Sequence, residues 1–239
     1  MSNPTNTNSN WNTIYKLGAA SAIGAVLVGV VEILITFLPG GNTTQETILD
    51  WFQLFQEVPF MGLRNLGLLN ITLNLLAIVT YLALYGAHRK TAYKPLAALA
   101  VIISYLGIGV FFATNRAFAM LGLSQQYAAA AGDVQQTVLK AAGQALLSVG
   151  NSHSPGTFLA FFLAESAGVL ISYVMLRAEI FPKTAAYAGM LGFSILLLFE
   201  FLASFFTGLS QAAMLLAMIG GLLSMVWYIL IARRLLQIN

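Results

Sequence analysis

Six stretches of this sequence are each long and apolar enough to cross a lipid bilayer, and that single feature rules out most alternatives for the fold. A spanning helix needs about 20 mostly apolar residues. The runs Ile14 to Leu38, Met61 to Ala87, Pro95 to Leu123, Gly156 to Leu176, Thr184 to Thr207 and Leu209 to Ala232 all satisfy this. With 59% hydrophobic and only 8% charged residues in 239, the chain lacks the polar surface that a soluble globule of this length requires. The expected class is therefore all-α: a polytopic transmembrane bundle of six spans, forming one domain over residues 14–239.

The segments between the spans carry their own patterns. Residues 1–13 are rich in Asn, Thr and Ser and lack the basic start of a secretory signal, so a disordered polar tail is expected there. Between the first two spans, Ile48, Trp51, Phe52 and Phe55 recur at helical spacing against Gln45, Glu46, Asp50 and Glu57. That spacing predicts an amphipathic interfacial helix within Thr43 to Pro59. The Ala- and Gln-rich stretch Ser124 to Asn151 is too polar to cross lipid and predicts a second surface helix.

Basic residues set an orientation. Lys16, then Arg89, Lys90 and Lys94, then Arg177 and Lys183, then Arg233 and Arg234 fall on one side of a six-span arrangement. The positive-inside rule places that side, and both termini, in the cytoplasm of a cell-membrane protein. Glu46, Asp50, Glu57 and Asp133 fall on the other side, so the two long connections and their surface helices face outward. The net charge of +3 follows from this asymmetry and does not call for nucleic acid.

Within the spans the sequence places five charges: Glu32, Arg64, Arg116, Glu165 and Glu200. Each costs a few kcal/mol at a bilayer centre, about 3 on insertion scales, so each needs a partner or water. All five fall in the outer half, about 6 to 14 Å below the outer boundary at helical rise. Helical spacing groups them with other small or polar residues. Gly18, Ser21, Ala25, Gly29, Glu32 and Thr36 share a face of the first span, and Gly67, Asn70, Asn74 and Tyr81 one of the second. Tyr105, Gly109, Phe112 and Arg116 align on the third, Phe161, Glu165, Gly168 and Ser172 on the fourth, and Gly189, Phe193, Glu200 and Ser204 on the fifth. Ala213, Ala217 and Gly221 offer close packing on the sixth.

These residues define the candidate ligand-binding set Glu32, Arg64, Asn70, Asn74, Arg116, Glu165 and Glu200. One reading makes the charges structural ion pairs between helices; the other makes them an outward-facing site for a small solute, an ion or a lipid headgroup. Three carboxylates against two guanidiniums leave one acid unmatched, and an unmatched buried Glu holds a proton or binds a cation. Glu165 and Glu200 are the stronger candidates. Proline clusters at span ends, so discontinuous helices are not expected.

The sequence lacks the residues for several chemistries. There is no Cys, which excludes disulfides and thiolate chemistry, and neither His88 nor His153 lies inside a span. Haem, retinal and metal cofactors are accordingly not expected, and no catalytic residue is assigned. His153, in Asn151-Ser152-His153-Ser154-Pro155-Gly156, is read as a loop residue at the start of the fourth span, with an approach to Glu165 near the outer boundary as the alternative. Two rival readings remain: an accessory or assembly subunit that docks a larger membrane complex or itself, and a membrane enzyme using Glu and His153 as acid and base on lipid. Membrane lipids are the expected surroundings in every case.

The run Leu123-Ser124-Gln125-Gln126-Tyr127-Ala128-Ala129-Ala130, with Met175-Leu176-Arg177 and Ile180-Phe181-Pro182-Lys183 further on, resembles the bacterial membrane family known as domain of unknown function 4386. The resemblance covers the chain from about Lys16 to the final Arg pair. It implies a six-helix membrane protein and assigns no activity, cofactor or site residue.

Overall fold

The computed structural model describes residues 5–37, 45–149 and 152–238. In chain order the helices are α1 (Thr5–Phe37), α2 (Ile48–Glu57), α3 (Pro59–Asn65), α4 (Leu68–His88), α5 (Lys94–Thr114), α6 (Ala117–Ala129), α7 (Asp133–Val149), α8 (Phe158–Ala178), α9 (Lys183–Phe205) and α10 (Ser210–Leu235), with a single 3₁₀ turn at Thr207–Leu209. The expectation of an all-α chain with six apolar spans is met: α1, α4, α5, α8, α9 and α10 each contain one, the α5 stretch running on into α6.

The six spans close into a ring. Each packs against the next in chain order, α1 on α4, α4 on α5, α5 on α8, α8 on α9 and α9 on α10, and α10 returns to α1. Without a hydrophobic driving force between helices in lipid, such contacts depend on small residues that let backbones approach. A Cβ on Gly18 would collide with Ala83, and one on Gly107 would come within 3.0 Å of the Ala160 carbonyl and 3.1 Å of the Ala164 nitrogen. Gly192 and Gly220 serve the α9–α10 seam in the same way. Large apolar side chains such as Leu27, Leu106, Leu191 and Leu222 point outward, as lipid-facing positions should.

The second and third spans differ from expectation. The run from Met61 is interrupted at Leu66 and Gly67, where Gly67 takes a left-handed conformation (φ 97°) that ends α3 and starts α4. The run from Pro95 is interrupted at Asn115, whose extended backbone (ψ 134°) separates α5 from α6. The two interruptions meet: Asn115 Nδ2 donates to the Leu66 carbonyl at 2.9 Å, and Asn115 Oδ1 accepts from Ala117 N at 3.1 Å. Irregular backbone at such a place survives because one asparagine satisfies both broken ends. The expectation of uninterrupted spans missed this because no proline marks either break.

Beyond the breaks, α2, α3, α6 and α7 form a cap on one face of the ring. Its core is Ile48, Trp51, Phe52, Phe55, Leu66, Ala117 and Met120. The predicted surface helices are α2 and α7, but the apolar face of α2 packs on protein rather than lying on lipid. A capping box starts α2, with Thr47 Oγ1 accepting from Asp50 N at 3.2 Å and Asp50 Oδ2 from Thr47 N at 2.7 Å. The first residues of the stretch Ser124 to Asn151 belong to α6, where Ser124 Oγ donates to the Phe52 carbonyl.

At the opposite, basic face the residues expected to form a disordered tail enter α1 from Thr5 onward. Trp11 anchors that end by packing on Tyr15 and Tyr85, with the Arg89 guanidinium 4.3 Å from its ring centre. This cation–π contact and aromatic stacking hold a segment whose composition alone suggested none. Leu235 approaches Gly18 at the same face, where α10 meets α1.

Candidate functional site

The connection from α7 to α8 carries the residue that sequence reasoning placed outside the site. Ser154 and Thr157 close a local turn, with Thr157 N donating to the Ser154 carbonyl at 3.0 Å and Ser154 N to Thr157 Oγ1 at 3.2 Å. This turn launches α8 and leaves His153 in the left-handed region (φ 62°), a strained conformation for a residue with a Cβ. Its ring is wedged between Phe161 and Phe199, with centroids 4.4 and 4.7 Å away. His153 Nδ1 lies 2.5 Å from Glu200 Oε2.

Glu200 is 1% exposed, and both its oxygens are engaged, since Ser204 Oγ donates to Oε1 at 3.1 Å. The spacing of Glu200 and Ser204, one turn apart on α9, makes that bond local. His153 is 34% exposed, so it is the solvent-side member of a pair whose other half is sealed.

Glu165 stands next to this pair on α8. Its Oε2 is buried and has no hydrogen-bond partner among the described residues, and the side chain lies within electrostatic reach of Glu200, of Tyr81 on α4 and of Tyr228 on α10. Helices α4, α8 and α10 are not neighbours in the ring, so Glu165, Tyr81 and Tyr228 meet across its interior. A carboxylate placed there without compensation is costly.

A second charged group lies on α1 and α3. Arg64 Nη2 and Nε reach Glu32 Oε1 and Oε2 at 2.5 and 3.3 Å, and Nη2 also reaches Thr36 Oγ1. The Arg64 side chain is 7% exposed and that of Glu32 44%. This two-point pair ties the start of the second sequence span to the end of the first.

The remaining candidates are placed apart from both groups. Arg116 sits at the α5–α6 interruption, where Nη1 donates to the Ala113 carbonyl at 2.8 Å and its Nε is buried without a partner. With Leu66, Asn115, Ser152 and Thr157 it lines a cavity of about 10 Å³, room for one water. Asn74 Nδ2 donates back to the Asn70 carbonyl at 2.8 Å, a bond within α4. Of the aligned set on the third span, Phe112 is exposed and Gly109 faces open space, while Tyr105 lies at the α4 seam and donates from its hydroxyl to the Ile78 carbonyl at 2.9 Å. Ser104, Gly107, Ile108 and Phe111 take the inward positions instead, because the small residues at 104 and 107 allow α8 to come close. On the sixth span, Gly220 rather than Gly221 makes the close contact.

The structure thus groups Glu165 with Glu200, pairs Glu32 with Arg64, and leaves Arg116, Asn70 and Asn74 in local bonds. His153, Tyr81, Tyr228 and Asn115 complete the arrangement. A signal for His153 existed in its position next to the outer boundary, although its partner is Glu200 and not Glu165. Among the described residues, no group of three or more His, Asp or Glu is placed to hold a metal ion.

A ring of six apolar helices with carboxyls in its interior defines an integral membrane protein of the multi-pass helical class. The chain belongs to the family described as Domain of unknown function (DUF4386), whose sequence profile matches residues 59–232, from α3 to the last turns of α10. No curated protein and no solved structure matches it.

Proposed function

We propose that the protein binds a small cation, the proton included, at Glu165 and Glu200, and that exchange with solution runs past His153 on the capped face. The observation that carries this is the orphaned Glu165 Oε2 beside a carboxyl that is already fully engaged. A purely structural carboxyl at this depth would be expected to be paired as Glu32 is with Arg64. By the positive-inside rule the capped face is extracellular, and the basic face with both chain termini is cytoplasmic. Glu32, Arg64 and Arg116 then serve the cap, as the pair and the interruption that hold it in place.

The test is carboxyl modification by a hydrophobic carbodiimide in the purified protein in nanodiscs, read by mass spectrometry. Labelling at Glu165 is expected, absent in Glu165→Gln, and slowed by sodium, potassium or lithium if a metal cation is the occupant. Dependence on pH alone identifies the proton. Absence of labelling at both Glu165 and Glu200 under all these conditions would remove the site.

A further inference from the structure

We infer that the interior of the ring is a proton route from Glu165 to the basic face, ending at His88. This rests on the reading of Glu165 and Glu200 as a cation site and names the proton as its occupant. Native structures leave few buried polar side-chain atoms unpaired. Among the described residues Arg116 Nε and Ser154 Oγ, at the capped end, are two such atoms, and the other four are Glu165 Oε2, Ser172 Oγ, Trp227 Nε1 and His88 Nε2. These four follow one another in depth. Ser172 lies two turns below Glu165 on the same face of α8, about 10 Å further from the cap. Trp227 Nε1 joins Ser172 there, since both atoms lie within 2.6 Å of the point that a Gly189 Cβ would occupy. His88 is the last residue of α4, at the basic end, fully buried and stacked on Phe181.

The chemistry of each group suits a relay. His153 takes a proton from the solvent side and shares it with Glu200 across Nδ1 and Oε2. Glu165 accepts on its free oxygen, and the hydroxyls of Tyr81 and Tyr228 accept on oxygen while releasing their own hydrogen. Ser172 does the same further down. Trp227 can only donate, so it orients Ser172 or an intervening water and does not carry the proton. At the end, His88 Nδ1 is 2.8 Å from the Leu84 carbonyl, which can only accept, so Nδ1 keeps its hydrogen and Nε2 is the free acceptor. A proton taken up on Nε2 leaves again from Nε2, and no electron moves. Tyr81 to His88 is also about 10 Å along α4, so a few waters must complete each gap. The driving force is the membrane potential, with no co-reactant.

The experiment uses the full chain in proteoliposomes containing a pH-sensitive dye, with an inward proton current driven by a valinomycin-clamped potassium gradient. Wild-type vesicles are expected to acidify faster than empty ones. Glu165→Gln should return the rate to that of empty vesicles, and His88→Gln, which keeps an amide to bond the Leu84 carbonyl, should lower it as well. Tyr187→Phe, at an exposed position of α9, should leave it unchanged. Monodispersity of each variant on size exclusion separates loss of conduction from loss of fold. Wild-type flux equal to empty vesicles, or full flux in a folded Glu165→Gln variant, overturns the route. If carbodiimide still labels Glu165 in vesicles that do not conduct, the site stands and only the route falls; if labelling is also absent, both fall.

Discussion

Replacing His153 by alanine removes the ring that closes on Glu200 Oε2 and leaves, among the described residues, a 1% exposed carboxyl bonded to Ser204. Breaking a fully buried ion pair from one side costs about 3–5 kcal/mol. His153 is about one-third exposed, and water admitted to its place offsets part of this, so about 2–3 kcal/mol is expected. Backbone conformation adds a second, separable effect. Alanine at φ 62° retains the left-handed strain, whereas glycine does not, so His153→Gly should be more stable than His153→Ala by about 1 kcal/mol. The carboxyl is the source of the larger cost, so in a Glu200→Gln background the His153→Ala penalty should shrink by more than about 1 kcal/mol. Equilibrium unfolding in mixed micelles titrated with SDS compares the wild type with the three single variants and the double variant. A His153→Ala change within about 0.5 kcal/mol of wild type, or strict additivity with Glu200→Gln, would refute the pairing as an energetic contact.

Gly107→Ala should destabilise by about 1–3 kcal/mol, because its Cβ meets α8 backbone atoms that cannot rotate away. Gly109→Ala, two residues on and facing open space, should be neutral or stabilising by up to about 1 kcal/mol; the same micelle titration compares them. Asn115→Leu loses both bonds that join the helix interruptions, about 1 kcal/mol each, and hydrogen exchange should accelerate around residues 66–68 and 117–119 before it does in α8. Asp50 is held below its ordinary value of 3.8, first by the Thr47 backbone N–H and then by the Thr47 hydroxyl. Its contribution to α2 is therefore complete above the ordinary value and lost as pH falls through the lowered one. Thr47→Val raises the Asp50 value toward normal, so the acid-induced change in Trp51 fluorescence should begin at higher pH, and an unchanged midpoint would argue against the capping box.

Much of the architecture is written in apolar length, which is why six spans and two surface helices could be read directly. Inward faces were legible where small residues and carboxyls recur at helical spacing, as with Gly168 and Ser172 on α8 or Gly189, Phe193, Glu200 and Ser204 on α9. The third span was misread because Tyr105 and Arg116 drew attention to the polar face, while alanines and glycines on the other face decided the packing. The interruptions at Gly67 and Asn115 were hidden because each depends on the other through one hydrogen bond across 49 positions. His153 was undervalued for a similar reason: its partner is 47 residues away, and neither composition nor periodicity reports such a distance. The shared layer of five charges was a statement about depth, and depth alone does not specify which helices are neighbours.

The chain-order ring has a consequence for how the protein is made. Each helix that enters the membrane finds its first neighbour already there, the one synthesised just before it, so five of the six seams form without long search. The seam between α10 and α1 is different, since it must await the last span and closes over the largest separation in sequence. Until that moment the carboxyl of Glu165 lies in an open trough facing lipid and not in a closed interior. Closure of the ring and the enclosure of Glu165 are then one event.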